Sequence, residues 1–255
     1  MKDRFMRKRI SPVKLEAISQ EWDKVGPARH TLIESGKDVS FTKITGPCIK
    51  ESLKSIKHNH ILDVGCGTGF LTNDLANMAD TCWGIDFSKE SIKLATKNYQ
   101  KKNLYFVCSS IKAFKSDQLF DACIANMVFM DDPEWKDSLN NIFKLLSPDG
   151  KLLMTITHPC FWPKYWGYQD EEWFNYLDEV FIQGTFSITL EKDIGTTTHI
   201  HRPLSSYIHT ILEHGFIIEK ILELSDLSTS LSPDKTNYPR FIFIQAGKAF
   251  PHPNL

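Results

Sequence analysis

Two hydrophobic periods alternate along most of the chain. Short apolar runs with strand character are followed by segments whose apolar residues recur every three or four positions, as Ile92, Ala95 and Tyr99 do. The predicted strands are, in chain order, residues 60–64, 82–85, 104–108, 120–126, 151–157, 217–224 and 241–246. This alternation predicts an α/β fold with a doubly wound, largely parallel sheet of about seven strands, joined by right-handed crossovers.

Two segments depart from this alternation. Helical spacing dominates the start of the chain, so residues 1–57 are predicted to form an N-terminal helical cap and residues 58–255 the domain that contains the sheet. After the fifth predicted strand, ten of the 26 residues in 161–186 are aromatic and five are acidic. We expect this insert, about residues 161–200, to form a lid over a ligand. A second small hydrophobic core or a homodimer surface is the alternative.

Composition narrows the class of protein. Charged residues make up 24% of the chain and the formal net charge is −1, so no bulk positive field favours nucleic acid. The basic residues within 1–9 have no apolar segment behind them, which predicts a solvated tail, and no apolar run is long enough to span a membrane. The six cysteines lack the spacing of a metal site or disulfide framework, which favours reduced thiols in a cytoplasmic protein.

A glycine-rich turn follows the first predicted strand. Gly65, Gly67 and Gly69 alternate with other residues directly before a helical pattern, and glycines in that place let a ligand approach the backbone. Asp86 ends the second strand, where an acid can accept hydrogen bonds from a ribose diol. A dinucleotide would need a glycine in place of Phe70, so the spacing favours a nucleoside-like ligand without phosphates.

Four segments resemble the class I S-adenosylmethionine-dependent methyltransferases. They are residues 63–69 (similar to the first motif), 84–88 (the second), 120–127 (the fourth) and 145–151 (the turn before the fifth strand). The resemblance implies a Rossmann-like fold whose last strand is antiparallel to the others. It also implies S-adenosylmethionine as the cofactor.

The same resemblance implies cofactor contacts: the glycine loop with the methionine portion, Asp86 with the ribose, and Phe87 with the adenine. The implied cofactor residues are Asp63, Gly65, Cys66, Gly67, Gly69, Asp86, Phe87, Ser110, Ile111, Asn126 and Met127. Ser110 and Ile111 stand where the family often has an acid that holds the adenine amino group, and they offer a hydroxyl and a backbone N–H instead. The last two residues of the set would lie beside the sulfonium.

The binding site for the acceptor, the molecule that receives the methyl group, is predicted from the end of the fifth strand and from the flanking segments. His158 is the candidate general base, since imidazole titrates near neutral pH, and a histidine that caps the loop is the alternative. The candidate acceptor-binding residues are Trp22, His30, Trp162, Trp166, His201 and Arg202. For Arg202, a solvated side chain or an ion pair with the acidic insert is the alternative, and Cys160 is expected to pack. His199 and His201 alternate as strand neighbours do, so no metal site is predicted.

These features predict an enzyme that transfers a methyl group from S-adenosylmethionine to oxygen or nitrogen of a small molecule. The expected partner is a small-molecule acceptor, with no nucleic acid and no membrane. One alternative is a non-catalytic protein that binds S-adenosylmethionine and regulates a partner. An NAD-dependent oxidoreductase is a further alternative, which Phe70 disfavours.

Overall fold

The computed structural model describes residues 7–186, 194–225 and 238–249. Its strands are β1 (Lys8–Ile10), β2 (His60–Val64), β3 (Thr81–Asp86), β4 (Leu104–Cys108), β5 (Phe120–Asn126), β6 (Leu146–Thr157), β7 (Val180–Thr185), β8 (Thr196–His201), β9 (Phe216–Leu224) and β10 (Phe241–Lys248). Its α-helices are α1 (Leu15–Glu34), α2 (Gly46–Leu53), α3 (Phe70–Leu75), α4 (Lys89–Asn98), α5 (Trp135–Leu145), α6 (Trp162–Trp166) and α7 (Leu204–Glu213). A π-helix, Ser40–Thr45, lies between α1 and α2.

The main sheet has seven strands in the order β4-β3-β2-β5-β6-β10-β9. The pairs from β4 to β6 are parallel, whereas β10 is antiparallel to both β6 and β9. This confirms the predicted α/β fold, with a Rossmann-like sheet of seven strands whose last strand is antiparallel. The order of the strands reverses between β2 and β5, and sheets of this kind bind ligands beyond the carboxyl ends of their strands at that point.

Most strand boundaries follow the hydrophobic pattern. Strands β2, β4 and β5 begin and end where the pattern places them. Strand β6 begins earlier, at Leu146, and so contains the segment 147–150 that was predicted as a turn. Phe120 pairs with Leu146 while Ala122 pairs with Lys151, so the ladder is irregular here. The predicted turn residues form an irregularity within a strand.

Both faces of the main sheet are buried, which explains the nearly continuous apolar runs of its parallel strands. One core joins Leu62 and Val64 to helices α5 and α7 and includes Trp135. The other joins Ile61 to helices α2 and α3 and includes Leu53. Neighbouring residues of β2 therefore alternate between two cores, as the two-residue period of a strand requires.

The N-terminal segment is helical, as predicted, but it begins with a strand. Arg9 pairs with Ile182 and Ile10 with Phe181, in an antiparallel ladder between β1 and β7. The prediction of a solvated tail is therefore wrong for its last residues, because these form a ladder with the insert. Residues 1–6 of that predicted tail lie outside the described part of the chain.

The insert after β6 folds into a small antiparallel sheet, in the order β1-β7-β8, with an aromatic core on one face. Phe181 and Ile200 pack with Ile18 of α1 on the other face. Val180 and Ile182 belong to the aromatic core. Its aromatic members are Tyr168, Trp162, Trp166, Trp173 and Phe174. The insert thus contains the second small core that its composition suggested, and residues 187–193 of the predicted lid lie outside the described residues.

None of the described helices combines the length and the apolar composition needed to cross a membrane. Within the same part of the chain, no group of three or more His, Cys, Asp or Glu side chains is arranged to hold a metal ion. All six cysteines are free thiols.

Candidate functional site

A cleft with about 790 Å³ of space, part of it open to solvent, lies beyond the carboxyl ends of β2, β3 and β5 and beneath helix α1. It sits where the strand order of the main sheet reverses. The predicted site residues that line it are Trp22, Asp63, Gly65, Cys66, Gly67, Asp86, Phe87, Asn126 and Met127. Trp22 comes from α1, and the ends of three neighbouring strands bring the other residues together from distant parts of the sequence.

The glycine loop presents bare backbone to the cleft. Gly65, Gly67 and Gly69 have φ values of 66°, 53° and 79°, which favour residues without a Cβ. A Cβ on Gly69 would lie 2.6 Å from the Phe106 ring, so this glycine serves the packing of α3 and does not line the cleft. A Cβ on Gly67 would meet no protein atom within 4 Å. Because Gly67 lines the cleft, the open space beside it is available to a ligand.

Asp86 is held in place by two backbone groups. Its carboxylate accepts hydrogen bonds from the N–H of Gly67 at 2.8 Å and from that of Ser88 at 2.8 Å. Burial raises the pKa of Asp86 to about 6, although both hydrogen bonds oppose the rise. A carboxylate oriented in this way has lone pairs left for two hydroxyl donors, such as those of a ribose.

Asp63 lies at the base of the same loop and is fully buried. The Thr72 hydroxyl donates a hydrogen bond to its carboxyl group at 2.7 Å. Burial raises the pKa of Asp63 to about 7; the hydrogen bond from Thr72 opposes the rise, and the nearby charge of Asp86 adds to it. Asp63 therefore titrates near neutral pH.

Asp63 should make the stability of the ligand-free protein depend on pH. Its pKa rises on folding from 3.8 to about 7, so folding takes up a proton in this interval and stability falls as the pH rises. Between about pH 5.5 and about pH 7.5, the free energy of unfolding should lose roughly 2 kcal/mol from this group. Urea denaturation at both pH values measures the loss, and Asp63→Asn should remove it. Equal pH dependence in the two proteins would contradict this prediction.

A smaller recess of about 260 Å³ adjoins the cleft beside Phe87. Its walls include Ile111 and Leu15, the first residue of α1, and apolar walls of this kind suit a flat ring. Ser109 lines the recess, whereas Ser110 is not among its described lining residues. The Ser110 hydroxyl accepts a backbone N–H at 3.3 Å within a turn. The structure thus places Ile111 at the recess and gives Ser110 a part in the turn.

Strand β5 ends in a strained conformation. Met127 has a φ of 61°, the only positive value for a non-glycine residue in the described part of the chain. Its N–H donates to the Thr155 carbonyl at 2.9 Å, and the Thr155 hydroxyl donates to Asn126 Oδ1 at 2.7 Å. Strain of this type persists only where the surrounding structure fixes it, and it is common at functional sites. Met127 and Val128 both line the cleft.

Helix α1 covers the cleft with Trp22 and Arg29. The Arg29 guanidinium lies 5.9 Å from the centre of the Trp22 ring and forms an ion pair with Asp38 at 3.2 Å. His30, a predicted acceptor residue, is buried next to the glycine loop, and its Nδ1 lies 2.8 Å from Thr68 Oγ1. His30 therefore fastens α1 to the loop and is not among the described residues that line the cleft.

His158, the predicted base, is buried at the end of β6 and is not among the described residues that line the cleft. The Cys160 N–H donates to its Nδ1 at 3.3 Å, so Nε2 carries the proton and faces Glu223 Oε1 at 2.9 Å. The backbone N–H of His158 donates to the Arg240 carbonyl at 2.8 Å. These contacts are those of a histidine that caps a loop, and a role as base stays a prediction.

The predicted acceptor residues of the insert lie in or next to its own core. Trp162 and Trp166 belong to the aromatic core, and His201 is buried beside it. Arg202 forms an ion pair with Glu179 of the acidic insert, which is one of the two alternatives that the sequence left open. The other alternative, a solvated arginine, is wrong, because the side chain is buried. None of these four predicted residues is among the described residues that line the cleft.

Two charged residues in the cleft, Arg29 and Asp131, are missing from the sequence prediction. Arg29 lies within a long helix and no motif surrounds it, so no local signal marks it. Asp131 lies shortly after the end of β5, on the edge where parallel sheets place their ligands. Its position was a usable signal.

Comparison with known proteins agrees with this geometry. A family model described as a methyltransferase domain matches residues 55–180. A malonyl-[acyl-carrier protein] O-methyltransferase of Bacillus anthracis is 34% identical over 97 residues, which are 37% of this chain and 36% of that protein. A ubiquinone biosynthesis O-methyltransferase of Coxiella burnetii is 34% identical over 113 residues, 42% of this chain and 47% of that protein. The chain spans less than half the length of these curated relatives.

Solved structures share the fold at low sequence identity. An S-adenosylmethionine-dependent methyltransferase from Clostridium acetobutylicum superposes with a TM-score of 0.62 at 14% identity, over 88% of this chain and 100% of that chain. Another from Mesorhizobium loti has a TM-score of 0.59 at 16% identity, over 78% of this chain and 95% of that chain. At these identities the likeness concerns the fold.

Proposed function

We propose that this chain is a class I S-adenosylmethionine-dependent methyltransferase and transfers a methyl group from S-adenosylmethionine to an oxygen or nitrogen atom of a small-molecule acceptor. The observation that carries this proposal is the placement of Gly67, Asp86 and Met127 around one cleft, at the point where the sheet reverses. The partial matches to two O-methyltransferases support it.

The residues of the cleft fit this cofactor. The backbone at Gly67 leaves open a space that a Cβ would fill, and this space would hold the methionine portion. Asp86 is fixed by two backbone N–H groups and would accept the ribose hydroxyls. The recess formed by Phe87, Ile111 and Leu15 would hold the adenine ring.

When bound, S-adenosylmethionine supplies a methyl group on a positively charged sulfur. The acceptor atom is the nucleophile, and it displaces the sulfur from the methyl carbon in line. The protein contributes to the rate of methyl transfer by positioning the acceptor and by excluding water. Helix α1 places Trp22 and Arg29 over the cleft, and in this proposal residues 1–57 act as its cap. An aromatic face and a planar cation suit a small organic acceptor.

The geometry gives little support to a dinucleotide. Phe70 occupies the position where a dinucleotide site has its third glycine, and its ring lies 5.7 Å from that of Phe41, edge to face. Both residues line the cleft. Opening this corner for a pyrophosphate would require the two rings to separate, whereas an adenosyl ligand without phosphates needs no such change.

Isothermal titration of the purified chain with S-adenosylmethionine, S-adenosylhomocysteine and NAD tests the proposal. We expect the two adenosyl ligands to bind and NAD not to bind. Asp86→Ala should weaken adenosyl binding by about 1–3 kcal/mol, the scale of a hydrogen bond to a charged group. Asp80→Ala, in an exposed position, is the control and should bind like the wild type. Binding of NAD alone, or Asp86→Ala with unchanged affinity, would refute the proposed site.

A further inference from the structure

The loop that joins β5 to α5 is fixed by the insert. The Ile200 N–H donates to the Met130 carbonyl at 2.6 Å. Arg202 donates to the carbonyls of Phe129 and Asp132 at 2.7 Å and 3.0 Å. Three carbonyl groups of this short loop are thus bound by strand β8 or by the residue directly after it. A loop held in this way is a rigid mount for a side chain that it carries into the cleft.

Asp131 is the charged side chain of this loop that lines the cleft. It is half-buried, and its carboxylate has no hydrogen bond or ion pair among the described residues. Its neighbour Asp132 is fully engaged, since it accepts hydrogen bonds from the Glu134 N–H at 2.8 Å and from the Ser138 hydroxyl at 2.6 Å. Asp131 therefore combines a fixed position with free hydrogen-bonding capacity, as expected of a carboxylate that meets a ligand.

Four charged groups surround Asp131. Arg29 and Glu21 of α1, Arg202 of the segment after β8, and Asp132 of its own loop all act on it electrostatically. Each of the four already has a partner elsewhere in the described structure. Burial raises the pKa of Asp131 well above its ordinary value, and the two arginines oppose this only in part. A carboxylate of raised pKa is a stronger base near neutral pH.

We propose that Asp131 binds the methyl acceptor through an O–H or N–H group and accepts that proton during transfer. This rests on the methyltransferase function proposed above and specifies its acceptor class: a hydroxyl or amine compound that has a proton to lose. The acceptor's lone pair bonds to the methyl carbon, the carbon–sulfur electron pair stays on sulfur, and the proton moves to a carboxylate oxygen of Asp131. Water later takes this proton. A carboxylate acceptor has no such proton and would be repelled by Asp131.

Sinefungin tests the charge at this position without knowledge of the acceptor. It is an adenosyl ligand that carries an amine where S-adenosylmethionine carries its methylated sulfur. The wild type should prefer sinefungin to S-adenosylhomocysteine, and Asp131→Asn should lose about fivefold or more of that preference. Calorimetric titration of both ligands into each protein gives the ratio of the two affinities. A loss of affinity that is the same for both ligands does not change this ratio. Asp149→Asn, the same change at an exposed position of β6, is the matched control and should keep the wild-type ratio.

Measurements of turnover test whether Asp131 accepts the proton of the acceptor. Phenols, primary amines and carboxylic acids are screened as acceptors by the release of S-adenosylhomocysteine, and we expect the phenols or amines to react. Asp131→Asn should then lower kcat about a hundredfold or more and remove one ionisation from the pH profile, while Asp131→Glu restores part of the rate.

Three results would overturn the inference. The first is a ratio of sinefungin to S-adenosylhomocysteine affinity in Asp131→Asn equal to that of the wild type. The second is an unchanged pH profile in that variant, and the third is turnover of carboxylic acids alone. Each of them leaves the methyltransferase function standing. Failure of the wild type to bind any adenosyl ligand would overturn the proposed function and this inference with it.

Discussion

Gly67→Ala should fold normally and bind S-adenosylhomocysteine about tenfold or more weakly than the wild type. Its methyl group would enter the cleft, because no protein atom lies within 4 Å of that position. The φ of 53° costs an alanine about 1–2 kcal/mol, which a domain of this size tolerates. A ligand that lies on the loop would lose about 1–3 kcal/mol to overpacking. Calorimetry measures the affinity and urea denaturation the stability.

Two other glycines provide matched controls. Gly36 has a φ of 72° and open space around it, but it does not line the cleft, so Gly36→Ala should keep the wild-type affinity. Gly69→Ala would place a methyl group 2.6 Å from the Phe106 ring and 2.9 Å from the Ala95 Cβ, and should cost about 2–4 kcal/mol of stability. If Gly67→Ala binds as tightly as Gly36→Ala, the ligand does not lie on the loop.

Arg202→Met should lower the free energy of unfolding by about 3 kcal/mol. The buried guanidinium donates to the carbonyls of Phe129 and Asp132, and methionine donates nothing. Each carbonyl left without its donor costs about 1–3 kcal/mol. The ion pair with Glu179 adds little, because half of the Glu179 side chain is exposed and water can replace the arginine there. Urea denaturation measures the change.

A second readout separates this effect from a general loss of structure. Arg202 holds the loop that carries Asp131, so the rate of turnover should fall more than the affinity for S-adenosylhomocysteine does. Lys144→Met, at an exposed position of α5, is the control and should change stability by less than about 0.5 kcal/mol. Wild-type stability in Arg202→Met would mean that water satisfies both carbonyls, and the loop would not depend on the insert.

The main sheet could be predicted because its information is local. Strands such as β5 are buried on both faces and so appear as uninterrupted apolar runs, and the glycines after β2 mark the turn where the ligand site begins. The short strand β1 could not be predicted, since three residues carry no period and its partner, β7, lies far along the chain. Strand β6 shows the same limit, because the sequence of residues 147–150 is typical of a turn and the pairing with β5 decides the outcome.

The candidate site divides in the same way. Asp86 and Phe87 were predictable, since the carboxyl ends of parallel strands share one edge and the motif marks those ends. The residues that line the cleft from elsewhere depend on how α1 docks, and no pattern within α1 sets Arg29 apart. His158 follows a strand end as well, yet it lies at β6, where contacts with β9 and with Arg240, directly before β10, enclose it. Being at the right edge of the sheet was therefore not sufficient to place a residue in the cleft.

The pairing of β1 with β7 sets an order for folding. Arg9 can meet Ile182 only after the chain through the insert exists, and contacts between such distant positions close a large loop at an entropic cost. Strands β2 to β5 pair across shorter stretches of sequence than β1 and β7 do, and they can assemble before this. During synthesis, β1 thus leaves the ribosome early but cannot pair until the insert has followed it. Until then β7, the central strand of the small sheet, has one edge without a partner, and an open strand edge of this kind can pair with another chain.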